Sequence, residues 1–152
     1  MHLGQVVGWA ALALTGGAAL RRGGSPERQG ALLIGAAWIL TPLVELRESW
    51  FQPQLGILAV DMATLLGLSI LAIRYDRYWP ICAAAFQAIA VLTHLAFLIN
   101  PNALYRAYLF GNFSIGFLLL GAILGGVIME GGAPPLRRPS AWGRSSSSRS
   151  WL

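Results

Sequence analysis

Long apolar segments alternate with short polar segments along most of the chain, and this pattern predicts its secondary structure. Five apolar stretches can be marked, at approximately 3–20, 29–44, 54–73, 79–99 and 107–129. A helix needs about 20 mainly apolar residues to cross the hydrocarbon core of a bilayer. The pattern therefore predicts an all-α fold, a polytopic membrane bundle of five transmembrane helices formed by residues 1–130.

The second stretch, 29–44, gives the weakest of these signals. It is short and has Pro42 near its end, and short apolar segments can be re-entrant or interfacial. A four-span alternative would place the arginines that flank this stretch on the same side as Arg106. Because that arrangement has a poorer charge asymmetry, the five-span interpretation is favoured.

The distribution of basic residues predicts an orientation. With the N-terminus outside, nine of the eleven basic residues fall on the inner side and only Arg47 and Arg106 fall outside. An excess of arginine and lysine marks cytoplasmic loops. The sequence thus predicts a cytoplasmic C-terminus. The inner residues are Arg21, Arg22, Arg28, Arg74, Arg77, Arg137, Arg138, Arg144 and Arg149.

Composition supports a membrane protein and argues against other classes. The 152 residues are 56% hydrophobic and 11% charged, whereas an ordinary soluble domain has about 25% charged residues. The net charge of +5 comes from arginines that flank the apolar stretches, so nucleic acid is not the expected partner. All basic residues are arginine and none is lysine, and alanine and glycine are abundant, which suggests a GC-rich bacterial genome. In a bacterium, a protein with several membrane-spanning helices is expected in the inner membrane.

Residues 131–152 have a different composition. This segment is rich in serine and proline, carries several arginines and has no apolar period. Such a composition cannot bury enough apolar surface to offset the entropy of ordering. A disordered basic tail in the cytoplasm is therefore predicted.

The sequence contains no motif that names a reaction. Cys82 is the single cysteine, so there is no CxxC pair, and it is expected to be a small apolar space-filler. HExxH, GxSxG, Walker and dinucleotide-binding patterns are absent. No catalytic residue, metal site or cofactor is indicated, and enzymatic activity is disfavoured.

Asp61 and His94 are the clearest ionisable residues inside the apolar stretches, and such residues are functional candidates by default. Counted from the short polar segment 74–78, they lie at nearly the same depth, so we expect them to face each other. A ligand space beside them is predicted from residues of similar depth or on the same helix face, namely Gln87, Asn112, Trp9 and Trp38.

Three interpretations of this pair remain open. Asp61 and His94 could be a buried pair that only fixes helix packing, part of a ligand site in the outer leaflet, or a proton site. Matched depth does not decide among them.

Small residues and aromatic residues predict packing and interfacial positions. Gly4–Gly8 and Gly121–Gly125 have the GxxxG spacing that permits close helix approach, within the bundle or in a homo-oligomer. Tyr75, Tyr78 and Trp79 are predicted to form an aromatic belt at the inner surface.

One region carries a resemblance. The stretch Asp76-Arg77-Tyr78-Trp79-Pro80, followed by Phe86-Gln87 and Leu92-Thr93-His94-Leu95, resembles small multispanning membrane proteins of GC-rich bacteria that have no known activity. This resemblance implies a membrane location and transfers no function.

The expected function is therefore non-catalytic. The protein is predicted to be either an accessory subunit of a larger membrane complex or a binder of a small hydrophobic ligand, with the lipid bilayer as its surroundings. The alternative is a small proton-coupled transporter or channel that uses Asp61 and His94.

Overall fold

Five α-helices make up the computed structural model, which describes residues 3–45, 55–99 and 101–130. These residues contain no strand, so the predicted all-α fold is confirmed. The predicted loop between the second and third stretches and the predicted disordered tail 131–152 lie outside the described residues. The helices are α1 Leu3–Arg22, α2 Ser25–Glu45, α3 Leu55–Arg74, α4 Tyr78–Ile99 and α5 Pro101–Glu130.

The apolar character of the helices differs along the chain. By length and composition, α3 and α4 are the described helices that are apolar enough to cross a membrane, and α5 contains a shorter apolar part, Ser114–Met129. The helix α2 is longer than the predicted stretch 29–44, because it begins at Ser25 and ends at Glu45. It continues through Pro42.

The turn between α1 and α2 requires glycine. The amide N–H of Gly23 donates a hydrogen bond to the carbonyl of Ala19 over 2.9 Å and closes the last turn of α1. A Cβ atom at Gly23 would overlap this same carbonyl. Pro26 then lies in the first turn of α2, where a missing N–H costs little, and Glu27 suits the positive end of the helix dipole.

The helices form a closed ring. Each helix packs against the next one in the chain, and α5 returns to pack against α1. The short turns at 23–24 and 75–77 lie at the same end, which we call the arginine-rich end. The core combines small and branched side chains from all five helices and includes Ala19, Ala31, Ile34, Leu68, Leu71, Ala83, Ala90, Ile115, Leu119, Leu120, Ile123 and Val127.

Trp79 corrects the predicted aromatic belt. Tyr78 is 83% exposed, but Trp79 is only 4% exposed, so its predicted interfacial position is wrong. Its indole packs where Gly30 of α2 and Gly126 of α5 leave room, since a Cβ atom at either glycine would overlap the ring. The side chain therefore joins α4 to two other helices at the arginine-rich end.

Large apolar side chains cover much of the outer surface of the ring. They are found on every helix and away from the core, and their exposed fractions range from 38% to 86%. Examples are Leu14 at 76%, Leu32 at 63%, Ile70 at 60%, Ile81 at 55% and Ile128 at 74%.

Candidate functional site: a central cavity with an acidic wall

A cavity of about 370 Å³ lies inside the ring, in the half that is remote from the arginine-rich end. All five helices contribute to its wall. The lining includes six residues that the sequence singled out, namely Gly4, Gly8, Trp9, Trp38, Asp61 and Gln87. Its other residues are Gln5, Ile34, Ala37, Thr41, Pro42, Thr64, Ala90, Ile115, Gly116 and Leu119.

Two tryptophans form an aromatic part of this wall. The rings of Trp9 and Trp38 pack edge to face, with centroids 5.9 Å apart and an interplanar angle of 81°. Trp38 lies between α1 and α5 because two glycines make room for it. A Cβ atom at Gly8 would lie 3.1 Å from the Trp38 ring, and one at Gly116 would lie 3.2 Å from it. Gly8 thus contacts an indole ring across the α1–α2 interface.

Asp61 links two side chains of α4. The amide Nε2 of Gln87 donates a hydrogen bond to Asp61 Oδ1 over 2.8 Å and also contacts the Asp61 carbonyl at 3.3 Å. The imidazole Nε2 of His94 lies 2.8 Å from Asp61 Oδ2, within ion-pair distance if the ring is protonated. The structure therefore brings together the three polar residues that the sequence placed at similar depth or on one face.

The two sides of Asp61 face different surroundings. Asp61 and Gln87 line the central cavity, whereas His94 lines a separate small void with Leu55, Leu58, Phe97 and Leu98. The His94 side chain is 4% exposed and that of Asp61 is 16% exposed. Because His94 lies behind the carboxylate, the cavity wall itself presents Asp61 and not the imidazole. This separation is not evident from the sequence.

Two threonines complete the polar lining, and the sequence interpretation missed them. The Thr64 hydroxyl donates to the carbonyl of Val60 over 2.8 Å, and the Thr41 hydroxyl donates to the carbonyl of Ala37 over 2.9 Å. Thr64 follows Asp61 by three residues, which places both on one face of α3. The three-residue spacing between Asp61 and Thr64 is the feature of the sequence from which Thr64 could have been predicted.

Three other predicted positions lie outside this site. The side chain of Asn112 is outside the described residues. Cβ atoms at Gly121 and Gly125 would meet nothing within 4 Å, so a packing role for this pair stays a prediction. Cys82 is exposed and does not fill space in the core, contrary to expectation.

Glu27 is a buried acid near the arginine-rich end, and the sequence interpretation did not single it out. It is 0% exposed, and its Oε1 accepts a hydrogen bond of 2.9 Å from Trp79 Nε1. Its other oxygen, Oε2, has no hydrogen-bond partner among the described residues. A run of charge and glycine gave no sign of burial, because the partner Trp79 is distant in sequence.

Comparisons of the chain with protein-family models, with curated proteins and with solved structures gave no match. The interpretation of the site therefore depends on its own geometry and chemistry.

Proposed function

We propose that this chain is a five-span inner-membrane protein that binds a small hydrophobic ligand in its central cavity. The apolar side chains on the outer surface of every helix support the membrane location, since a soluble bundle would present polar residues there. The asymmetry of the arginines supports an orientation with the arginine-rich end in the cytoplasm. In that orientation the cavity lies in the outer half of the bilayer.

The cavity is the observation that carries this proposal. Its volume of about 370 Å³ falls in the range of small-molecule sites, about 300–1,000 Å³, and it combines apolar and aromatic walls with a few polar groups. The space is partly open at the surface, where Gln5, Trp9 and Pro42 are exposed, so a small molecule can reach it from outside the bundle. Ligand binding is therefore favoured over a purely structural role as an accessory subunit.

Purification in a gentle detergent followed by native mass spectrometry tests the proposal. The wild-type protein is expected to retain a small molecule. Ala37→Phe, which adds a ring to the cavity wall, should lose it. Ala36→Phe is the matched control, because Ala36 is the preceding residue on α2 and is exposed.

The contradicting result is equally clear. If the wild-type protein carries no small molecule, or if Ala37→Phe and Ala36→Phe retain it equally, the cavity is not a ligand site. Each variant must elute as a single species of wild-type size for the comparison to count.

A second function is favoured by the 2.8 Å contact between Asp61 and His94. The carboxylate of Asp61 faces the cavity on one side and the His94 imidazole on the other. It can therefore exchange a proton with the imidazole or with a ligand in the cavity. We propose proton-coupled transport of the ligand as this alternative. In proteoliposomes, solute flux that follows an imposed pH gradient and is lost in Asp61→Asn supports it, and flux that ignores the gradient contradicts it.

A further inference from the structure

The polar groups of the cavity wall present hydrogen-bond acceptors and one carboxyl group to a ligand. The Thr41 and Thr64 hydroxyls already donate to carbonyls of their own helices, which leaves their oxygen lone pairs as the groups available to a ligand. Both contacts of the Gln87 amide nitrogen go to Asp61, which leaves the Gln87 carbonyl oxygen as an acceptor. The wall around Asp61 is therefore rich in acceptors.

Pro42 leaves one more hydrogen-bond acceptor at the cavity wall. It lines the cavity and has no N–H with which to bond the carbonyl of Trp38, one turn earlier in α2. Among the described lining residues, the other side chains that carry N–H donors are Trp9, Trp38 and Gln5, and Gln5 is exposed.

Asp61 is the charged residue among the described residues that line the cavity, and these described lining residues include no arginine, lysine or histidine. A carboxylate has lone-pair sites for about four hydrogen bonds. Asp61 Oδ2 is buried against His94, whereas Oδ1 accepts one hydrogen bond from Gln87, so Oδ1 is the oxygen with a lone pair left for a ligand in the cavity. An ionised carboxylate in a mostly apolar space is stabilised by a positively charged partner.

The aromatic wall has the same preference. Trp9 and Trp38 pack beside the cavity, and the faces of indole rings attract organic cations. Recognition of ammonium groups commonly combines an aromatic surface with a carboxylate. The wall supplies both.

We infer that the ligand of the cavity is an organic monocation, with an ammonium-type group at Asp61 and an apolar or aromatic body against the tryptophans. This inference rests on the proposed function, and it adds the chemical class of the ligand. Neutral lipids and anionic ligands are the classes it disfavours.

A pair of probes with the same shape and different charge tests the inference. Protonated N,N-dimethylbenzylamine, which has one N–H to donate, is the cation, and isobutylbenzene, in which carbon replaces the ammonium nitrogen, is the neutral isostere. Binding is measured calorimetrically on the full chain in lipid nanodiscs at one fixed pH, and empty nanodiscs provide the correction for partition into lipid. The cation is expected to bind at least about tenfold more tightly than the isostere.

Variants identify the carboxylate responsible. Asp61→Asn should weaken binding of the cation by about tenfold or more and leave the isostere unchanged, whereas Asp61→Glu should retain most of the affinity. Asp76→Asn is the matched control, because it removes an exposed carboxylate in the α3–α4 turn, away from the cavity. His94→Gln, which removes the imidazole but keeps Asp61, should bind the cation at least as well as wild type.

Three results overturn the inference. If the isostere binds as tightly as the cation, or Asp61→Asn leaves the cation unaffected, the cavity does not select for positive charge and the proposed function stands. If neither probe binds, the inference also fails. The co-purification experiment then decides separately whether the cavity binds any small molecule.

Discussion

The indole Nε1 of Trp79 donates a hydrogen bond to Glu27 Oε1 over 2.9 Å, and both side chains are buried. This contact joins the first turn of α2 to the first turn of α4 at the arginine-rich end. A buried carboxylate without a partner is costly, so the bond constrains how these helix ends meet.

Trp79→Phe should destabilise the protein because it removes this donor and leaves Glu27 without its hydrogen bond. The expected cost is about 1–3 kcal/mol of unfolding free energy. Measured in a Glu27→Met background, the same substitution should cost less, since the stranded carboxylate is then absent. Equal costs in the two backgrounds, determined by denaturant unfolding in detergent, would show that the hydrogen bond does not contribute.

Gly30→Ala should also destabilise the bundle. A Cβ atom at Gly30 would overlap the ring of Trp79, so the helices must move apart or the indole must change rotamer, at a cost of about 1–3 kcal/mol. Gly35→Ala is the control on the same helix, because a Cβ atom there meets nothing within 4 Å. Its effect should be within about 0.5 kcal/mol. Similar losses for the two variants in the same unfolding assay would contradict the packing described for α2 and α4.

Much of the fold could be predicted from the sequence, because apolar period and turn chemistry are local signals. The short segment 74–78 predicts that α3 and α4 are antiparallel neighbours. Counting residues from this segment then predicts that Asp61 and His94 lie at the same depth. The apolar pattern places the start of α2 too late, because Ser25, Pro26 and Glu27 precede the apolar residues of the helix. Whether charged residues near a helix end are buried depends on a partner from elsewhere in the chain.

Several residues of the site could be predicted from the sequence, but the shape of the cavity could not. Helix rotation decides which side chains face inward, and the sequence does not fix it. The cavity depends on Trp38 lying against Gly8 and Gly116, which are on different helices. The same rotation places His94 behind Asp61, outside the cavity.

Asp61 and His94 should be energetically coupled. Polar contacts between membrane helices contribute on average about 0.6 kcal/mol, so a double-mutant cycle of Asp61→Asn and His94→Gln should give a coupling energy of about 0.5–2 kcal/mol. A single-substitution loss well above this range would indicate a stranded charge in place of a lost contact. Strictly additive losses would argue that the 2.8 Å contact has no energetic role.

The proposed orientation can be measured by cysteine labelling. Cys82 is exposed, so a Cys82→Ser background is needed first. A cysteine placed at Ser25 or Ser146 should be protected from a membrane-impermeant maleimide in intact cells, because the positive-inside rule assigns both positions to the cytoplasm. A cysteine at Gln52 should react. The opposite labelling pattern would reverse the orientation, and equal labelling at all three would argue against the five-span topology.

Access to the cavity is tested most directly by two buried alanines of α4. Ala90 lines the cavity, whereas Ala83, two turns away on the same face, lies in the core outside the cavity lining. In the Cys82→Ser background, Ala90→Cys should react with a small uncharged thiosulfonate much faster than Ala83→Cys, and Ala37→Phe should slow that reaction. If the two cysteines react at the same slow rate, with no effect of Ala37→Phe, the bundle has no accessible cavity and the ligand-binding proposal is contradicted.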